Sequence, residues 1–426
     1  MSDYSIETNC LHAGYHPGNG EPRVLPITQS TTFKYDSTEQ MGRLFALQEP
    51  GYFYTRLANP TCDAVAAKIA ALEGGSGGML TSSGQAAIFI AIMNICDSGD
   101  HFVSASALYG GTFNLFSVTL KKMGVSVTFI PPDSDEETIK AAVRPNTKLI
   151  YGETVANPAL NVLDIESFAN AAHACGLPLF VDNTFPTPIL CKPIEWGADI
   201  VIHSTTKYMD GHATSVGGCI VDSGRFDWAS HPERFRGLTQ PDDSYHGVIY
   251  TKDFGKVAFL TKATAQLMRD LGSSPAPMNA FLLNIGLETL HLRVPRHAQN
   301  ALEVANYLNN HPKVSWVKYP GLEGDSQHAL SRKYLKYGVP GILSFGVKGG
   351  RDAAVTFMDS LSLASIATHV CDARTCVLHP ASHTHRQLSE EGLAIAGVSS
   401  DMIRLSVGIE SVKDIIQDID QALSQI

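Results

Sequence analysis

Residues 179–203 read LFVDNTFPTPILCKPIEWGADIVIH, and this stretch decides the fold class. Two short and almost entirely apolar runs, Leu179–Asp182 and Ile200–His203, stand at its two ends. Runs of this kind, without polar alternation, are typical of strands that are buried on both faces, as in a parallel sheet covered by helices. The stretch therefore predicts an α/β fold.

Similar apolar runs occur upstream, at 126–130 and 148–151, and helix-length segments separate them. Strong helix formers from Ala64 to Glu73 end at a Gly-Gly pair, which is a typical C-terminal stop. The alternation of helices and strands predicts a mainly parallel sheet over residues 64–265. The segment 228–250, which contains two prolines and two glycines, is expected to be a long surface excursion.

The two ends of the chain differ in pattern from this middle part. The first 63 residues carry five prolines and no sustained periodicity, so an extended arm is expected over 1–63. Helical patterns over 279–297 and 298–308 are followed by strand candidates at 314–317, 343–347 and 403–407. These patterns predict a smaller α+β domain over 266–426.

Composition excludes several classes of protein. The 426 residues include 32 Lys+Arg and 42 Asp+Glu, and the resulting net charge of −10 argues against a nucleic-acid partner. The longest apolar stretch, 86–93, is far shorter than the roughly 18 residues that a membrane span needs. No secretory signal is visible, and eight scattered cysteines suit a reducing compartment. We expect a soluble, cytoplasmic protein with no nucleic-acid or membrane partner.

A turn rich in glycine and hydroxyl groups follows the apolar residues 78–80. It reads Thr81-Ser82-Ser83-Gly84-Gln85 and leads into an apolar helical pattern. Free N–H groups at the start of a helix favour a phosphate, although a serine N-cap without any ligand is the commoner explanation of an isolated turn of this kind. The nucleotide-binding patterns G-x-G-x-x-G and G-x-x-x-x-G-K-[ST] do not occur in the sequence.

Asp182 and Lys207 follow two of the apolar runs, and ligands of open parallel sheets gather at such strand ends. A lysine can form a Schiff base with pyridoxal phosphate, while an aspartate can pair with the protonated ring nitrogen. Each residue alone is more commonly a surface lysine or a turn aspartate. The two together suggest a site for this cofactor.

Residues 203–212, HSTTKYMDGH, closely resemble the lysine signature of the Cys/Met-metabolism family of pyridoxal-phosphate enzymes. Six further motifs carry the resemblance along the chain, at 54–61, 82–86, 108–112, 181–184, 379–382 and 404–410. The resemblance implies the aspartate-aminotransferase-like fold (fold type I), with a pyridoxal-phosphate-binding domain that has a mainly parallel sheet and a smaller α+β C-terminal domain. It also implies pyridoxal 5′-phosphate as the cofactor.

The resemblance assigns roles to individual residues. Lys207 would bind the cofactor covalently and move protons, Asp182 would meet the ring nitrogen, and Tyr109 would stack on the ring and contact substrate. The expected remaining contacts with the cofactor are Ser83, Gly84, Gln85, Asn157, Ser204 and Thr206. Arg404 would bind the substrate carboxylate through its planar fork.

Tyr54 and Arg56 lie in the arm, and in such enzymes they reach the phosphate of the neighbouring subunit. Tyr54 would also contact the substrate. The resemblance therefore implies a homo-oligomer of at least two chains, and we expect a tetramer. Small-molecule partners would be an amino acid together with sulfide or a thiol.

Two stretches resemble the O-acetylhomoserine sulfhydrylase branch of the family, namely 108–116 and 240–247. Methionine γ-lyases carry a cysteine where Gly111 stands. We therefore expect γ-replacement, in which O-acetyl-L-homoserine and sulfide or methanethiol give homocysteine or methionine and acetate. The alternatives are a methionine γ-lyase, a cystathionine γ-synthase or lyase, and a catalytically degenerate binding or regulatory homologue.

The chain departs from the family at 367–372. Relatives usually carry Ser or Asn where His369 stands and Gly where Cys371 stands. The position of His369 often assists Arg404 with the carboxylate, so that second contact stays open. A metal site at His379, His383 and His385, with two cysteines near in sequence, matches no zinc spacing, and no metal is expected.

Overall fold

The computed structural model describes residues 4–383, 386 and 399–426. Its larger sheet has seven strands within this part of the chain, in the spatial order β1-β7-β6-β5-β4-β2-β3. The strands are Gly77–Thr81 (β1), His101–Ala105 (β2), Ser126–Ile130 (β3), Thr147–Glu153 (β4), Leu179–Asp182 (β5), Ile200–His203 (β6) and Gly218–Asp222 (β7). Strands β2 to β6 pair in parallel, whereas β7 runs antiparallel to both β6 and β1.

Helices cover both faces of this sheet. The α-helices are Ile6–His12 (α1), Thr38–Phe45 (α2), Pro60–Glu73 (α3), Gly84–Met93 (α4), Gly110–Asn114 (α5), Glu136–Ala141 (α6), Ile165–Ala174 (α7), Thr187–Leu190 (α8), Arg236–Thr239 (α9), Tyr250–Asp253 (α10), Ala258–Lys262 (α11), Arg269–Leu271 (α12), Pro277–Glu288 (α13), Leu290–Asn309 (α14), His328–Tyr334 (α15), Gly350–Asp359 (α16) and Val412–Leu423 (α17). The remaining helical elements of the described residues are two π-helical segments, Leu115–Leu120 and Ala263–Met268, and four 3₁₀ turns, Pro193–Trp196, Trp228–Ser230, Asp243–Tyr245 and Gly255–Val257.

Burial on both faces explains why the central strands lack polar alternation. Val181 and Val201 belong to a core that includes Ile69 of α3, whereas Phe180 and Ile202 belong to a second core on the other face. All five side chains are fully or almost fully buried. The prediction of an α/β fold with a mainly parallel sheet is confirmed.

Helix α3 begins four residues earlier than the alanine-rich pattern suggests. The side chain of Asn59 accepts a hydrogen bond from the N–H of Thr61 at 3.0 Å, and Pro60 occupies the first helical position. The helix ends at Glu73, where Gly74 has a φ of 80°. Residue 63 lies inside α3, so no break in the helix marks the expected division between arm and sheet domain at 63/64. This division and the one at 265/266 stay predictions.

The C-terminal part holds a second sheet with the order β10-β11-β12-β9-β8 among the described residues. Its strands are Val314–Lys318 (β8), Ile342–Val347 (β9), Ser365–Ile366 (β10), Cys376–Leu378 (β11) and Met402–Ser406 (β12). The single long helix expected over 279–297 is instead two helices, because Thr289 leaves the helical conformation with ψ at 8°. Helix α14 then continues to Asn309.

The expected surface excursion at 228–250 is a packed layer rather than an open loop. Trp228, Phe235, Leu238, Tyr245 and Tyr250 are all buried there. All of these side chains except that of Tyr245 belong to the core on one face of the sheet, which the Pro and Gly content of the segment did not indicate. Within the described part of the chain, no helix has the length and apolar character needed to cross a membrane.

Candidate cofactor site

Three parallel strands end at the same edge of the larger sheet and place polar side chains there. Glu153 of β4 pairs in register with Asp182 of β5, and Asp182 pairs with Ile202 of β6, next to His203. The loop after β6 carries Lys207. The structure thus brings the predicted aspartate and the lysine-bearing loop to one sheet edge.

The glycine-rich turn meets the lysine-bearing loop. Ser83 caps helix α4 by accepting a hydrogen bond from the N–H of Ala86 at 3.1 Å. A β-carbon added to Gly84 would lie 2.6 Å from Cβ of Ser204, so the two backbones approach as closely as glycine allows. The first turn of α4 and Ser204 therefore form one cradle of the kind that binds phosphate.

Thr206 and Gln85, two more residues that are predicted to contact the cofactor, are held beside this cradle by hydrogen bonds. The Thr206 hydroxyl donates to the carbonyl of Gly217 at 3.2 Å and accepts from its N–H at 3.1 Å. The amide of Gln85 donates to the hydroxyl of Thr112 at 3.2 Å. Both side chains are thereby fixed beside the turn.

Replacing Gly84 with alanine is expected to weaken binding of pyridoxal phosphate about tenfold or more, because the new methyl group must push Ser204 out of the cradle at a cost of roughly 1–3 kcal/mol. Titration of the apoprotein, followed by absorbance, measures the dissociation constant. Gly324→Ala is the matched control, since nothing lies within 4 Å of a β-carbon at that position. Equal affinity in the two variants would contradict a phosphate cradle at Gly84.

Asp182 is tied to the same cradle through Thr184. Its Oδ1 accepts from the N–H of Thr184 at 2.9 Å, while the Thr184 hydroxyl accepts from the N–H of Ser204 at 2.8 Å. Burial raises the pKa of Asp182, and the bonds from Thr184 oppose this rise. A cationic ring nitrogen next to Asp182 would keep its carboxyl group ionised.

Glu153 is a second buried carboxyl group beside Asp182, and sequence reasoning did not assign it a role. Burial and the neighbouring Asp182 raise the pKa of Glu153 well above its ordinary value. Its Oε1 accepts from the N–H of Tyr109 at 2.8 Å, which fixes the start of helix α5. Its position at the end of β4 was the available signal, since the strand runs two residues beyond the apolar run.

The Tyr109 ring is half exposed and lies over Gly111. A β-carbon at Gly111 would be only 2.5 Å from a carbon of that ring. The absence of a side chain at Gly111 therefore lets the ring take this place, and a cysteine there would move it.

Lys207 is partly buried among groups from the C-terminal sheet. Burial, reinforced by the positive charge of Arg404, lowers the pKa of Lys207, while Cys371 and Cys376 oppose the change. A lowered pKa increases the fraction of neutral amine, which is the form that attacks an aldehyde or accepts a proton.

Arg404 lies on β12 and is buried, and burial lowers its pKa. Its Nη1 donates to Oδ1 of Asn157 at 3.2 Å. Its Nε is buried and has no hydrogen-bond partner among the residues that the structure describes. A buried guanidinium with an unused donor is suited to a carboxylate ligand.

The unusual residues at 369 and 371 lie close to these groups. Cys371 has a φ of 65°, a conformation that favours glycine, and its N–H donates to the hydroxyl of Ser406 at 2.8 Å. Burial and the charge of Lys207 lower the pKa of His369, whose Nε2 is buried without a partner in the described chain. The role of His369 as a second carboxylate contact stays a prediction.

Tyr54 and Arg56 lie elsewhere on the chain. The Arg56 guanidinium stands 5.1 Å from the centre of the Tyr54 ring, and its Nη1 donates to the carbonyl of Arg269. Arg56 is thus bonded to the first residue of helix α12, with Tyr54 beside it, and the reach of both residues to a neighbouring subunit stays a prediction.

Only part of the histidine cluster at 379, 383 and 385 lies within the described residues. His379 is bonded to the carbonyl of Ser400 at 2.9 Å, whereas His385 lies outside the described residues. Across the described ranges, no group of three or more His, Cys, Asp or Glu side chains is arranged to hold a metal ion.

The described side chains fit pyridoxal phosphate. The cradle at Gly84 suits its phosphate, Asp182 suits its ring nitrogen, Lys207 suits its aldehyde, and Arg404 has a donor left for an amino-acid carboxylate. The sequence did not point to Thr184 and Gly217. Both contribute through hydrogen bonds to other residues of the site, and neither carries a charge that would have marked it.

Comparisons with known proteins agree with this chemistry. The family model described as "Cys/Met metabolism PLP-dependent enzyme" matches residues 7–424. The homocysteine synthase of Schizosaccharomyces pombe is 48% identical over 420 residues, covering 98% of both chains. The O-acetyl-L-homoserine sulfhydrylase of Leptospira meyeri is 43% identical, covering 100% of this chain and 98% of its own.

Solved structures agree as well. The metY crystal structure from Campylobacter jejuni, which carries an N′-pyridoxyl-lysine-5′-monophosphate, superposes with a TM-score of 0.95 at 37% identity, covering 99% of this chain and 100% of that one. The metB structure from Corynebacterium glutamicum gives a TM-score of 0.84 at 34% identity over 99% of this chain and 98% of that one. The chain therefore belongs to the Cys/Met-metabolism family of pyridoxal-phosphate-dependent enzymes, with the fold, the cofactor and the enzymatic character of that family.

Proposed function

We propose that this enzyme catalyses γ-replacement on O-acetyl-L-homoserine, with sulfide or methanethiol as the nucleophile, to give homocysteine or methionine and acetate. The observation that supports an amino-acid substrate is the buried Arg404, whose Nε has no partner among the described residues. Burial lowers the pKa of Lys207, and Arg404 is close enough to lower it further. The choice of reaction is supported by the full-length relatives named homocysteine synthase and O-acetyl-L-homoserine sulfhydrylase.

Pyridoxal phosphate, when bound, would supply an aromatic ring that can accept electrons from a carbon next to the substrate nitrogen. Arg404 binds the substrate carboxylate and fixes the orientation of Cα. Asp182 holds the proton on the ring nitrogen. Tyr109 covers the site, and its backbone is held by Glu153 at 2.8 Å.

Lys207 is the proposed acid and base of the reaction. Its neutral Nζ would take the proton from Cα, give it up to the bound cofactor and, neutral again, take one from Cβ, after which acetate leaves from Cγ. The sulfur nucleophile forms a bond to Cγ, and Lys207 returns protons to Cβ and Cα. The balance is O-acetylhomoserine plus hydrogen sulfide to homocysteine plus acetic acid.

The methionine γ-lyase and cystathionine γ-synthase or lyase reactions would use the same lysine, aspartate and arginine. The glycine at 111 favours the transferase, because the Tyr109 ring occupies the space that a cysteine would need. The intact Lys207, Asp182 and Arg404 argue against a degenerate homologue. We also propose that the active form is a homo-oligomer, at least a dimer and by resemblance a tetramer, located in the cytoplasm.

A product assay tests the reaction. O-acetyl-, O-succinyl- and O-phosphohomoserine are each offered with sulfide, methanethiol or cysteine, and thiol and acid products are measured. We expect homocysteine and acetate from O-acetylhomoserine and sulfide, with kcat/KM at least about tenfold higher than for methionine or cystathionine elimination. Efficient release of a keto acid and ammonia from methionine or cystathionine, with no turnover of O-acetylhomoserine, would support the lyase instead.

A further inference from the structure

A buried polar cluster lies directly behind the cofactor edge of the sheet, and the mechanism above does not use it. Nε2 of His203 and Oε1 of Glu73 are 2.6 Å apart, and both side chains have zero exposure. The amide of Asn183 donates to the same Glu73 oxygen at 2.9 Å and to the carbonyl of Cys191 at 2.8 Å. We call Glu73, His203 and Asn183 the buried triad.

Each member of the buried triad is tied to a strand end that serves the cofactor. Asn183 directly follows Asp182, and His203 directly precedes Ser204 of the phosphate cradle. The Asn183 N–H donates to the carbonyl of Ile202 at 2.9 Å, and its side-chain oxygen accepts from Thr154 at 3.0 Å. The triad therefore joins the ends of β4, β5 and β6 to the last residue of helix α3.

The triad lies on the face of the sheet opposite to the Asp182 side chain. Side chains alternate along a strand, so Asn183 and His203 point toward α3, whereas Asp182 points to the other face with Phe180. The triad can therefore act on Asp182 only through the backbone at 182–183 and through the electric field. Burial raises the pKa of Asp182, whereas the charge of a protonated His203 would act in the opposite direction, which fits an action through the field.

Burial sets a further condition on the charged and polar groups of the triad. Charged or strongly polar groups without access to water are maintained only when they are paired. Oε2 of Glu73 and Nδ1 of His203 nevertheless have no hydrogen-bond partner in the described chain. A core that served packing alone would be better filled by apolar side chains, so this incompletely satisfied pair points to a function at the adjacent strand ends.

We propose that the buried triad is a positioning unit that holds Asp182 in place and in its ionised form, so that the ring nitrogen of pyridoxal phosphate stays protonated. Glu73 and His203 are positioning residues because they act through Asp182 and do not touch the cofactor. The inference rests on the proposed role of Asp182 and not on the identity of the substrates.

The test uses pyridoxal phosphate labelled with ¹⁵N in its ring, bound to the full chain. Glu73→Gln keeps the size and hydrogen bonds of the side chain but removes its charge. We expect its dissociation constant for the cofactor to rise about tenfold, the lower end of the effect that outer hydrogen-bond partners have on metal affinity. The ¹⁵N signal should also move toward that of Asp182→Asn, in which the ring nitrogen has lost its carboxylate.

His173→Gln is the matched control. His173 pairs with the buried carboxylate of Asp199 at 2.9 Å, next to the opposite end of strand β6. This variant should keep the wild-type affinity and ¹⁵N signal, because the pair lies away from the cofactor edge. A wild-type affinity and signal in Glu73→Gln would overturn the proposal.

Two further variants separate the remaining outcomes. If Glu73→Gln does not fold, the double variant Glu73→Gln/His203→Gln removes both charges together and is measured in the same way. Loss of the folded state in that variant as well, by thermal melting, assigns the triad a purely structural role and overturns the proposal. An unchanged ¹⁵N signal in Asp182→Asn would instead reject the assigned role of Asp182 on which the proposal depends.

Discussion

Replacement of Lys207 with alanine is expected to lower kcat by about 10⁴-fold or more, because one group serves as the covalent anchor and as the base at two carbons, and a positioned base alone contributes roughly 10²–10⁴. The lowered pKa of Lys207 raises the fraction of its neutral amine near pH 7. Because the variant lacks this amine, kcat should be reduced throughout the neutral range. Release of homocysteine and acetate measures the effect.

The control for this prediction is Lys318→Ala. Burial lowers the pKa of Lys318 as well, but this lysine lies on β8 of the C-terminal sheet, and its variant should retain full activity. Borohydride treatment adds a second readout, since it should fix a pyridoxyl group on the peptide that contains Lys207 in the wild type. Turnover within a factor of ten of wild type in Lys207→Ala would disprove the assignment.

Replacement of Arg404 with lysine is expected to lower kcat/KM by about 10²- to 10³-fold while the charge is kept. The planar fork of arginine uses Nη1 on Asn157 at 3.2 Å and leaves Nε for a ligand, whereas a lysine offers one point charge. Weakening one side of a buried charge pair costs roughly 2–5 kcal/mol. Most of the change should appear in KM, since the carboxylate contact exists before and during the reaction.

Arg374→Lys provides the comparison for Arg404. The Arg374 guanidinium also binds a carboxylate, that of Asp372 at 2.9 Å, but its side chain is 71% exposed. Exposed ion pairs contribute little, so this variant should match the wild type. An unchanged KM in Arg404→Lys would mean that the substrate carboxylate binds elsewhere, and His369 would then become the first residue to replace.

The sequence was most informative where strands are fully buried. Strands β5 and β6 have the predicted bounds because each is an apolar run that ends at a polar residue, Asp182 or His203. Strand β2 escaped prediction because it begins with His101, whose ring is satisfied by the hydroxyls of Thr147 and Thr128 at 2.8 Å, a pairing made between strands. Strand β7 escaped because Gly218 and Cys219 give no apolar run of useful length.

The site likewise contains residues that the sequence could predict and contacts that it could not. Lys207, Asp182 and the turn at Gly84 could be predicted because each follows directly from a strand end. The contact of Glu73 with His203 joins residues 130 positions apart, and neither residue type signals the other. The Arg404 contact with Asn157 spans 247 positions and depends on how the C-terminal sheet meets the strand edge.

The antiparallel strand β7 also determines when the site can form during folding. Strand β1, which leads into the Gly84 turn, is bonded in the described sheet to β7 alone, so residues 77–81 must wait for residues 218–222. A chain emerging from the ribosome would hold β1 without its partner strand until about 140 further residues had been synthesised, a separation that slows pairing. We therefore expect the cofactor to bind late in folding and to stabilise the finished domain rather than to nucleate it.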